Sequence, residues 1–529
     1  TFTPPAQAIF TRITASNDGH GLSSPNAQSI IQDSFGNIWI GNYRGGIDFI
    51  SHTQPLFNTI TYKTEKYGHN CNKQVWGLWA DNNRQIWLGG EGELGIYKEG
   101  KEIEIIPLNQ CRLNKQTHIS VIHQDKHGDL WLGTHKHGVA IYHPDTKRIT
   151  CIGDDKDGSL DILCFYEDTD GKIWIGTQSG LYSAYNRELT QEDKINRLLT
   201  NKGIRSILRD KNGKLWIGAK GLFLFDDKGQ LFQELTTEQS FPIRSVNYLM
   251  EDSRKRIWVG TNDGILVFRD ASHLEDYSHY GTKEGLQNTN VRAIQEDHDG
   301  TIWLSTNAGI SRLDEKTKTF YNYNHYDGVP MGDFMDGSTC ISTDGILYFG
   351  SQGGACYFTP GEVNSIRKPA PVTITQFSIY DKQTESKDTE HPLPLTDANI
   401  QLPYNQNTFK ISFNVLDYAI SSQVEFSYIL EGLENTWYNT QGEKQIIFRN
   451  IPPGHYTFKV KTRLRNQEWE KDEATLHIRI TPPFWLSWYA KLIYALLIIL
   501  IIYGVSRFYK RKLDLESSLE VERKQSLNK

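Results

Sequence analysis

The stretch DKHGDLWLG (residues 125–133) is one of eight copies of a short unit that decides the fold of this chain. Each copy has an aspartate or a serine, a turn, and then a tryptophan or tyrosine between two apolar residues. From Trp39 to Tyr348 these aromatic residues are 48, 44, 43, 42, 42, 45 and 45 positions apart. A period of about 40 to 50 residues is typical of one four-stranded β-propeller blade. The eight copies span residues 33–41, 81–89, 125–133, 168–176, 210–218, 252–260, 297–305 and 342–350.

The residues around each copy predict the other strands of a blade. An apolar run before the turn indicates an inner strand, and the tryptophan strand follows the turn. A second glycine then opens a third strand, such as GLFLF at 221–225, and a fourth strand often ends in aromatics, such as TFYNY at 319–323. Four short strands cannot bury both faces alone, so neighbouring blades must cover them. We therefore expect each tryptophan to lie in the layer between blades.

The repeated aspartate has an alternative, chemical interpretation as a calcium ligand or an acid–base group. However, one carboxylate per blade is spread around a ring instead of being gathered into a site. The stretches 168–171 and 297–300 also lack the remaining ligands of a calcium loop. We interpret these residues as structural, and we predict no metal, no cofactor and no catalytic residue.

Charge and cysteine content exclude several other classes of protein. The 529 residues carry a net charge of -6 with no basic stripe, so we expect no direct contact with nucleic acid. No CxxC pair is present, which argues against a zinc site or a disulfide framework. Buried free thiols are the favoured interpretation, with one Cys151–Cys164 bridge left open. The six cysteines are Cys71, Cys111, Cys151, Cys164, Cys340 and Cys356.

The repeat period stops near residues 368–371, and a different strand pattern follows. Residues 372–481 alternate apolar and polar side chains, as in TFKISFNVLDY (408–418), VEFSYILEG (424–432) and YTFKVKTRL (456–464). About seven strands in about 110 residues predict an immunoglobulin-like β-sandwich.

Residues 485–506 predict one transmembrane helix. At about 1.5 Å per residue, this segment crosses roughly 30 Å of hydrocarbon, and LIYALLIILIIY (492–503) is its apolar centre. Aromatic residues precede the centre and basic residues follow it, which indicates a cytoplasmic C-terminal side. The aromatic residues are Phe484, Trp485, Trp488 and Tyr489, and the basic residues are Arg507, Lys510, Arg511 and Lys512.

These motifs together resemble the sensor regions of hybrid two-component systems. The repeats resemble the two-component-regulator propeller motif, and SFNVLDY, YILEGLENTWY and PPGHYTFKVK resemble the triple-tyrosine (Y_Y_Y) domain that follows such propellers. The ending TPPFWLSWYAKLIY is also similar to that family. The resemblance implies a propeller at 1–368, a Y_Y_Y sandwich at 369–482, a membrane helix at 485–506 and a cytoplasmic linker helix at 507–529.

The resemblance also implies a function. Members of the family detect glycan breakdown products in the periplasm and control the transcription of carbohydrate-utilisation genes through a histidine kinase. We therefore expect an oligosaccharide ligand, a homodimer, and a single-pass inner-membrane protein with a periplasmic propeller and sandwich. We expect no enzymatic activity in this chain, because it contains no H-E-x-R-T-P motif and no ATP-binding glycine boxes.

The sequence leaves two alternatives for the number of blades. Family propellers have seven blades, whereas the sequence has eight copies of the motif. Either the first copy closes a preceding propeller or this ring has eight blades, and the seven-bladed ring is the preferred prediction. The predicted fold is thus all-β: a seven-bladed (alternatively eight-bladed) β-propeller, an immunoglobulin-like β-sandwich, and then one transmembrane α-helix.

The candidate ligand residues lie in the loops between the motif glycine and the next glycine. These loops occupy equivalent places in every blade, so we expect them on one face of the ring. Their aromatic, polar and basic side chains suit a neutral or acidic sugar, although solvated turns would have the same composition. The candidates are Tyr43, Arg44, Glu91, His135, His137, Gln178, Lys220, Asn262, Asn307 and Gln352.

Two other functions are compatible with a propeller. A propeller lyase or glycosidase needs convergent carboxylates or a His/Tyr base, for which His135, His137 and Tyr43 are the available candidates. A protein-interaction scaffold without a small-molecule ligand would need an exposed apolar patch on the ring.

Overall fold

The structure of the chain, a computed structural model, forms two compact units. One unit comprises Thr1–His52 and Arg367–Lys529, and the other comprises Thr53–Ile366. The predicted propeller range of 1–368 is therefore wider than the ring unit, because the first 52 residues group with the C-terminal part. The structure describes residues 22–52, 55–61, 63–66, 69–72, 74–99, 101, 103–110, 113, 116–152, 160–185, 188–196, 199, 202–226, 229–237, 241–363, 371–379, 389–391, 399–418, 420, 423–440, 442–464 and 468–527.

The first motif copy lies in a separate three-stranded antiparallel sheet, β1 (Ala27–Gln32), β2 (Ile38–Asn42) and β3 (Gly46–Ile50). Its apolar side chains are largely exposed, with Ile30 at 69% and Ile47 at 70%. At the corresponding positions of complete blades, Ile122 is 3% exposed and Val139 is 0% exposed. The sheet thus has the pattern of a blade, but positions that are buried in the ring are exposed here, and its Trp39 ring contacts Tyr418 with centroids 5.1 Å apart.

The Thr53–Ile366 unit contains seven four-stranded antiparallel sheets, which confirms the seven-bladed propeller. Six blades use four consecutive strands, because each hairpin turn returns the chain beside the previous strand. Blade 7 takes its outermost strand from the start of the unit, so the first and last segments join in one sheet. The strand that does so is β4 (Asn58–Ile60), which is followed by a hairpin of β5 (Lys63–Lys66) and β6 (His69–Asn72).

The strands of the first four blades follow in chain order. Blade 1 is β7 (Gly77–Ala80), β8 (Ile86–Gly89), β9 (Glu93–Tyr97) and β10 (Glu104–Pro107). Blade 2 is β11 (Ile119–Gln124), β12 (Leu130–Thr134), β13 (Val139–His143) and β14 (Arg148–Ile152). Blade 3 is β15 (Ile162–Glu167), β16 (Ile173–Thr177), β17 (Leu181–Tyr185) and β18 (Glu188–Gln191), followed by the short helix α1 (Asp193–Asn196). Blade 4 is β19 (Ser206–Arg209), β20 (Leu215–Ala219), β21 (Gly221–Phe225) and β22 (Leu231–Leu235).

The last three blades complete the ring. Blade 5 is β23 (Val246–Glu251), β24 (Ile257–Thr261), β25 (Gly264–Phe268) and β26 (Tyr277–Tyr280). Blade 6 is β27 (Val291–Glu296), β28 (Ile302–Thr306), β29 (Gly309–Asp314) and β30 (Thr319–Tyr323). Blade 7 is β31 (Phe334–Ile341), β32 (Leu347–Ser351) and β33 (Gly354–Phe358) with β4, and α2 (Pro360–Val363) follows.

The motif aspartate and tryptophan form one brace in each of blades 1 to 6, whereas blade 7 has Ser342 and Tyr348 at these positions. In blade 4, one carboxylate oxygen of Asp210 accepts the backbone N–H groups of Asn212 and Lys214, each at 2.9 Å. Its other oxygen accepts the indole N–H of Trp216 at 2.8 Å. The same Asp–Trp bond recurs in blades 1, 2, 3, 5 and 6 and in the β1–β3 sheet. The aspartates therefore fasten the turn to the tryptophan strand.

The tryptophans lie between blades, as the repeat predicts. The ring centroid of Trp216 in blade 4 is 6.0 Å from that of Phe268 in blade 5, and that of Trp303 in blade 6 is 4.7 Å from that of Phe358 in blade 7. Trp216 and Trp303 are both fully buried. Burying one such side chain removes roughly 200 Å² from water, an upper contribution of about 5 kcal/mol.

Residues 371–481 form a β-sandwich of one four-stranded and one five-stranded sheet, which confirms the predicted class. Phe413, Phe426 and Phe458 meet in its core with ring centroids 5.2 to 6.0 Å apart. The Tyr456 hydroxyl donates a hydrogen bond to the Pro452 carbonyl at 2.8 Å and fastens the PPGHY turn. The strands are β34 (Val372–Ile379), β35 (Thr389–His391), β36 (Asn399–Leu402), β37 (Phe409–Val415), β38 (Val424–Glu431), β39 (Tyr438–Asn439), β40 (Gln445–Phe448), β41 (Gly454–Leu464) and β42 (Glu473–Ile480).

The last element is α3 (Trp488–Leu527), a helix of 40 residues that is apolar and long enough to cross a membrane. Ser487 caps its first turn through a hydrogen bond from the Ala490 backbone N–H to the serine hydroxyl. The helix begins three residues after the start of the predicted span of 485–506, because Pro482 and Pro483 are followed by a short 3-10 turn at Phe484–Leu486. The predicted linker helix continues the same α3 without a break.

Four of the six cysteines lie among the described side chains. Because Cys164 is a free thiol, the Cys151–Cys164 bridge does not form. Burial raises the pKa of Cys164 to about 12, as expected for an inert core thiol. Cys340 and Cys356 are also buried and free, whereas the side chain of Cys71 and the whole of Cys111 lie outside the described residues.

Candidate functional site

The innermost strands of the ring surround a cavity of about 430 Å³. A cavity of this size is within the usual range for small-ligand sites. Trp76, Arg205 and Asp336 line it near the start of the innermost strands, and His123 and Arg209 line it near their ends. We call the first end the channel mouth and the second the channel base.

A β-bulge near the start of the innermost strands brings variable side chains to the mouth. The register of β11, β15, β23, β27 and β31 shifts there by one or more residues. A bulge leaves a residue unpaired and re-aims its side chain. Counting back eleven positions from each motif tryptophan gives Trp76, Ser120, Leu163, Arg205, Asn247 and Arg292, and blade 7 has Asp336 and Gly337 in its bulge.

Two arginines converge on one carboxylate at the mouth. Nη1 of Arg292 donates to Oδ1 of Asp336 at 2.7 Å, and Nη1 of Arg205 lies 3.4 Å from Oδ2. These residues come from blades 6, 7 and 4, so the contact with Arg205 joins blades that are not adjacent. Arg205 also donates to Oδ1 of Asn247 at 3.1 Å, and Nε of Arg292 donates to Oδ1 of Asn307 at 2.8 Å.

Asn247 orients the guanidinium of Arg205. Its side chain is fully buried, and its amide N–H₂ lies within hydrogen-bonding distance of Asn262 Oδ1 at 2.8 Å, Asn290 Oδ1 at 3.1 Å and the Val291 carbonyl at 2.9 Å. With both its amide groups engaged, Asn247 has one preferred orientation, and its oxygen is held towards Arg205.

Aromatic and imidazole groups occupy the side of the mouth formed by blades 1 to 3. The rings of Trp76 and His118 are 6.1 Å apart, and those of His118 and His135 are 6.2 Å apart. Nδ1 of His135 is 3.0 Å from Oδ1 of Asp161, and Nε2 of His118 is 4.0 Å from Oε1 of Glu91. The indole N–H of Trp76 is buried and has no acceptor among the described residues. A donor of this kind is available to a bound molecule.

The channel base has a different chemistry. Nε2 of His123 is 3.0 Å from Oε2 of Glu167, and burial lowers the pKa of His123 despite the opposing effect of that carboxylate. Nε of Arg209 donates to Oδ2 of Asp168 at 2.7 Å. Burial opposes ionisation of Asp168, but hydrogen bonds from Thr169, Trp174 and Arg209 lower the pKa of its carboxyl overall. These contacts join blades 2, 3 and 4, whereas the indole N–H of Trp79, which also lines this end, has no acceptor among the described residues.

Seven of the eight predicted loop residues of the ring lie four positions after the motif aromatic residue, at the mouth end of their blades, and His137 lies six positions after Trp131. Asn262 and Asn307 belong to the arginine side of the mouth, and Glu91 and His135 belong to the imidazole side. The other predicted residues occupy the same loop in their blades but join neither group among the described contacts; they are His137, Gln178, Lys220 and Gln352.

Tyr43 and Arg44 lie outside the ring. They occupy the turn between β2 and β3, in the unit that contains the sandwich, with the Arg44 guanidinium 5.2 Å from the Tyr43 ring centroid. They are candidates because they occupy, in the first motif copy, the same loop between two glycines as the candidates in the ring. The triad of His135, His137 and Tyr43 is therefore not assembled within the ring.

Sequence reasoning missed the residues at the start of the innermost strands, of which Trp76, Arg205, Asn247, Arg292 and Asp336 are the polar and aromatic ones at the mouth. Their signal is the fixed offset from the motif tryptophan combined with high variability between copies. The loop residues vary in the same way, so sequence reasoning assigned the ligand site to them and overlooked this second variable position.

The structure is that of a seven-bladed propeller, a sandwich and one apolar helix. The family profile of the two component regulator propeller matches residues 21–44, 158–179, 198–221, 240–263 and 285–308. The Y_Y_Y domain profile matches residues 417–481. The chain thus carries two-component-regulator propeller repeats and a Y_Y_Y domain.

Two proteins are similar over longer stretches. The extracellular domain of a B. thetaiotaomicron protein, assigned by its description to a hybrid two component system, is 36% identical with a TM-score of 0.80. The alignment covers 89% of this chain and 64% of that one. Histidine kinase P4 of Formosa agariphila is 27% identical over 242 residues, which are 45% of this chain and 18% of that protein. The chain therefore spans less than two-thirds of either protein.

Proposed function

We propose that this chain is the ligand-sensing part of a membrane-bound hybrid two-component histidine kinase, and that it binds glycan-derived oligosaccharides at the channel mouth. The observation that carries the proposal is the convergence, on one cavity, of side chains from the start of the innermost strands of several blades. The arrangement combines an aromatic ring, fixed amides and charged donors, which are the groups that fix the orientation of a polar ligand. Similarity to the extracellular domain of a two component system supports a role in signalling.

The chemistry of the mouth supports binding more than catalysis. The carboxylates Asp161, Glu91 and Asp336 each face an imidazole or a guanidinium. A glycosidase needs one carboxylic acid that keeps its proton and a second carboxylate placed across the scissile bond. These three carboxylates come instead from blades 1, 3 and 7, and each is already engaged by its own partner. We infer that the chain binds its ligand without transforming it.

The proposed topology places the ring and sandwich in the periplasm and the C-terminal part of α3 in the cytoplasm. The aromatic residues Trp485, Trp488 and Tyr489 precede the apolar segment, and Arg507 and Lys510 follow it. In this topology a ligand can signal only by favouring one arrangement of the domains above the membrane. A homodimer would convert that change into a new relation between two copies of α3.

Calorimetry of the full chain in lipid nanodiscs against a panel of neutral and acidic oligosaccharides tests the proposal. We expect at least one sugar to bind, and Trp76→Ala to weaken that binding roughly five- to tenfold through the loss of aromatic contact. Tyr185→Ala, which removes an exposed aromatic ring at the end of β17, is the matched control. Lack of binding across the panel would favour an interaction scaffold, and equal effects of both variants would contradict the mouth as the site.

A further inference from the structure

We propose that the channel mouth holds an anionic group of its ligand, a carboxylate or a sulfate ester, between Arg205 and Arg292, and that Asp336 occupies this clamp when no ligand is bound. The inference rests on the proposed function and names the chemical class of its ligand. It is carried by the geometry and exposure of these three side chains.

The clamp has more cationic donors than its internal carboxylate uses. Two guanidinium groups face one carboxylate, which leaves one net positive charge. Arg205 uses Nη1 for Asn247 and Asp336, and Arg292 uses Nε and Nη1 for Asn307 and Asp336. Each guanidinium has five N–H donors, so the Nη2 groups of both arginines remain available within the described contacts. Planar donor pairs of this kind match carboxylate and tetrahedral oxyanions.

Stabilisation of the ring does not account for the clamp. The side chains of Arg205, Asp336 and Arg292 are 41%, 37% and 21% exposed. Ion pairs with this exposure contribute about 0 to 1 kcal/mol, because water and salt screen them. The ring is instead closed by β4 and by buried aromatic contacts between blades. These exposed ion pairs add little to stability, yet a fully buried asparagine orients one of their arginines. Such support of exposed groups by buried ones is typical of a binding site.

The other charged groups of the mouth do not neutralise the clamp. On the side formed by blades 1 to 3, Asp161 faces His135 and Glu91 faces His118. The arginine side has no second carboxylate among the described ion pairs. An incoming anion therefore meets its strongest attraction at Arg205 and Arg292.

The position of Asp336 in its strand allows its side chain to move out of the clamp. It lies in the bulge of β31, where Phe334 pairs with Ser351 and the next paired residue is Thr339. The neighbouring Gly337 has a φ of 67°. Because no ladder hydrogen bond fixes this stretch in register, Asp336 can turn towards solvent when another anion takes its place. Ligand binding would then be reported first by the innermost strand of blade 7.

Inorganic sulfate is a probe that tests the clamp without knowledge of the sugar. We expect Asp336→Asn to bind sulfate at least about tenfold more tightly than the wild type in calorimetry at low salt, because the competing carboxylate is gone. Adding Arg292→Gln to Asp336→Asn should abolish the gain, and Arg292→Lys should recover part of it. Arg148→Gln in the Asp336→Asn background, on the exposed outer strand β14, should change nothing.

Several results would overturn the anion clamp. The first is that Asp336→Asn binds sulfate no more tightly than the wild type. The second is that the variant with both Asp336→Asn and Arg292→Gln keeps the tighter sulfate binding. The sugar panel then separates the two proposals. If only neutral sugars bind, and Arg292→Gln leaves their affinity unchanged, oligosaccharide sensing stands and the anion clamp is wrong.

Discussion

At the scale of single residues, the motif aspartate shows why a repeated acidic position need not be a functional site. Each carboxylate accepts turn N–H groups with one oxygen and an indole N–H with the other, as in Asp210. The side chains that reach the channel belong instead to residues that differ from blade to blade at a fixed distance before the motif tryptophan. Positions that repeat the same residue from blade to blade therefore hold the ring together. A fixed position whose residue varies between blades marks the candidate site.

The first prediction concerns that brace. Asp210→Ala removes three hydrogen bonds to a charged acceptor, including the one from the fully buried Trp216. We expect a loss of about 2 to 3 kcal/mol in the free energy of unfolding, measured by urea denaturation. Asp145→Ala, in the exposed turn between β13 and β14, should cost less than about 0.5 kcal/mol. Similar losses in both variants would contradict the structural role of the brace.

A second residue-scale prediction concerns pH and the channel base. Burial lowers the pKa of His123 in the folded state below its ordinary value of 6.5. The folded state then binds this proton more weakly than the unfolded state, so the contribution of His123 to stability is complete above about pH 6.5 and is lost as the pH falls through the lower folded-state pKa. His123→Gln should therefore flatten the decline in stability between about pH 7 and about pH 5. Urea unfolding at both pH values checks this, and an unchanged slope would be inconsistent with it.

At the scale of secondary-structure elements, β4 closes the ring by pairing with β33 in the register Ala355–Ile60, Cys356–Thr59 and Tyr357–Asn58. Phe57 precedes this strand and is 1% exposed, with its ring centroid 4.6 Å from that of Phe358. Its packing therefore joins the first and last segments of the propeller.

Phe57→Ala should cost about 3 to 5 kcal/mol and open this closure before the rest of the ring unfolds. Phe225→Ala removes an equally buried ring within blade 4, away from the closure, and is the matched control. Limited proteolysis should cleave near β4 in the first variant but not in the second. The same cleavage pattern in both would mean that β4 has no special role.

Much of the fold could be predicted because the repeat encodes strands by local rules. The period fixed the number of blades to seven or eight, and the alternation of residues 408–418 and 456–464 predicted the strands β37 and β41. The first motif copy could not be placed in this way, since its sequence is that of a blade. Only the pairing of β4 with β33 shows that the ring closes without it. The bulges were also hidden, because an inserted residue breaks the two-residue period that the strand prediction uses.

At the scale of the whole molecule, the proposed signal must pass from the sandwich into α3. The connection is short: β42 ends at Ile480, Pro482 and Pro483 follow, and α3 begins at Trp488. The Tyr404 ring of the sandwich contacts Trp485 with centroids 5.2 Å apart, and the Thr481 N–H donates to the Leu402 carbonyl at 2.9 Å. Two prolines restrict the backbone, so the step into the helix is stiff.

Replacing Pro482 and Pro483 by Gly-Ser makes this step flexible, and we expect it to uncouple output from ligand binding. A chimera with a histidine kinase after Leu527 should lose most of its ligand-dependent phosphorylation, while calorimetry should give an unchanged ligand affinity, because the channel mouth lies in the other unit. Pro55→Gly in the ring unit, a proline remote in sequence from the helix, is the control and should preserve the response. A chimera that still responds fully with the Gly-Ser step would show that stiffness at this connection is not required, and that the contact between Tyr404 and Trp485 is sufficient to orient α3.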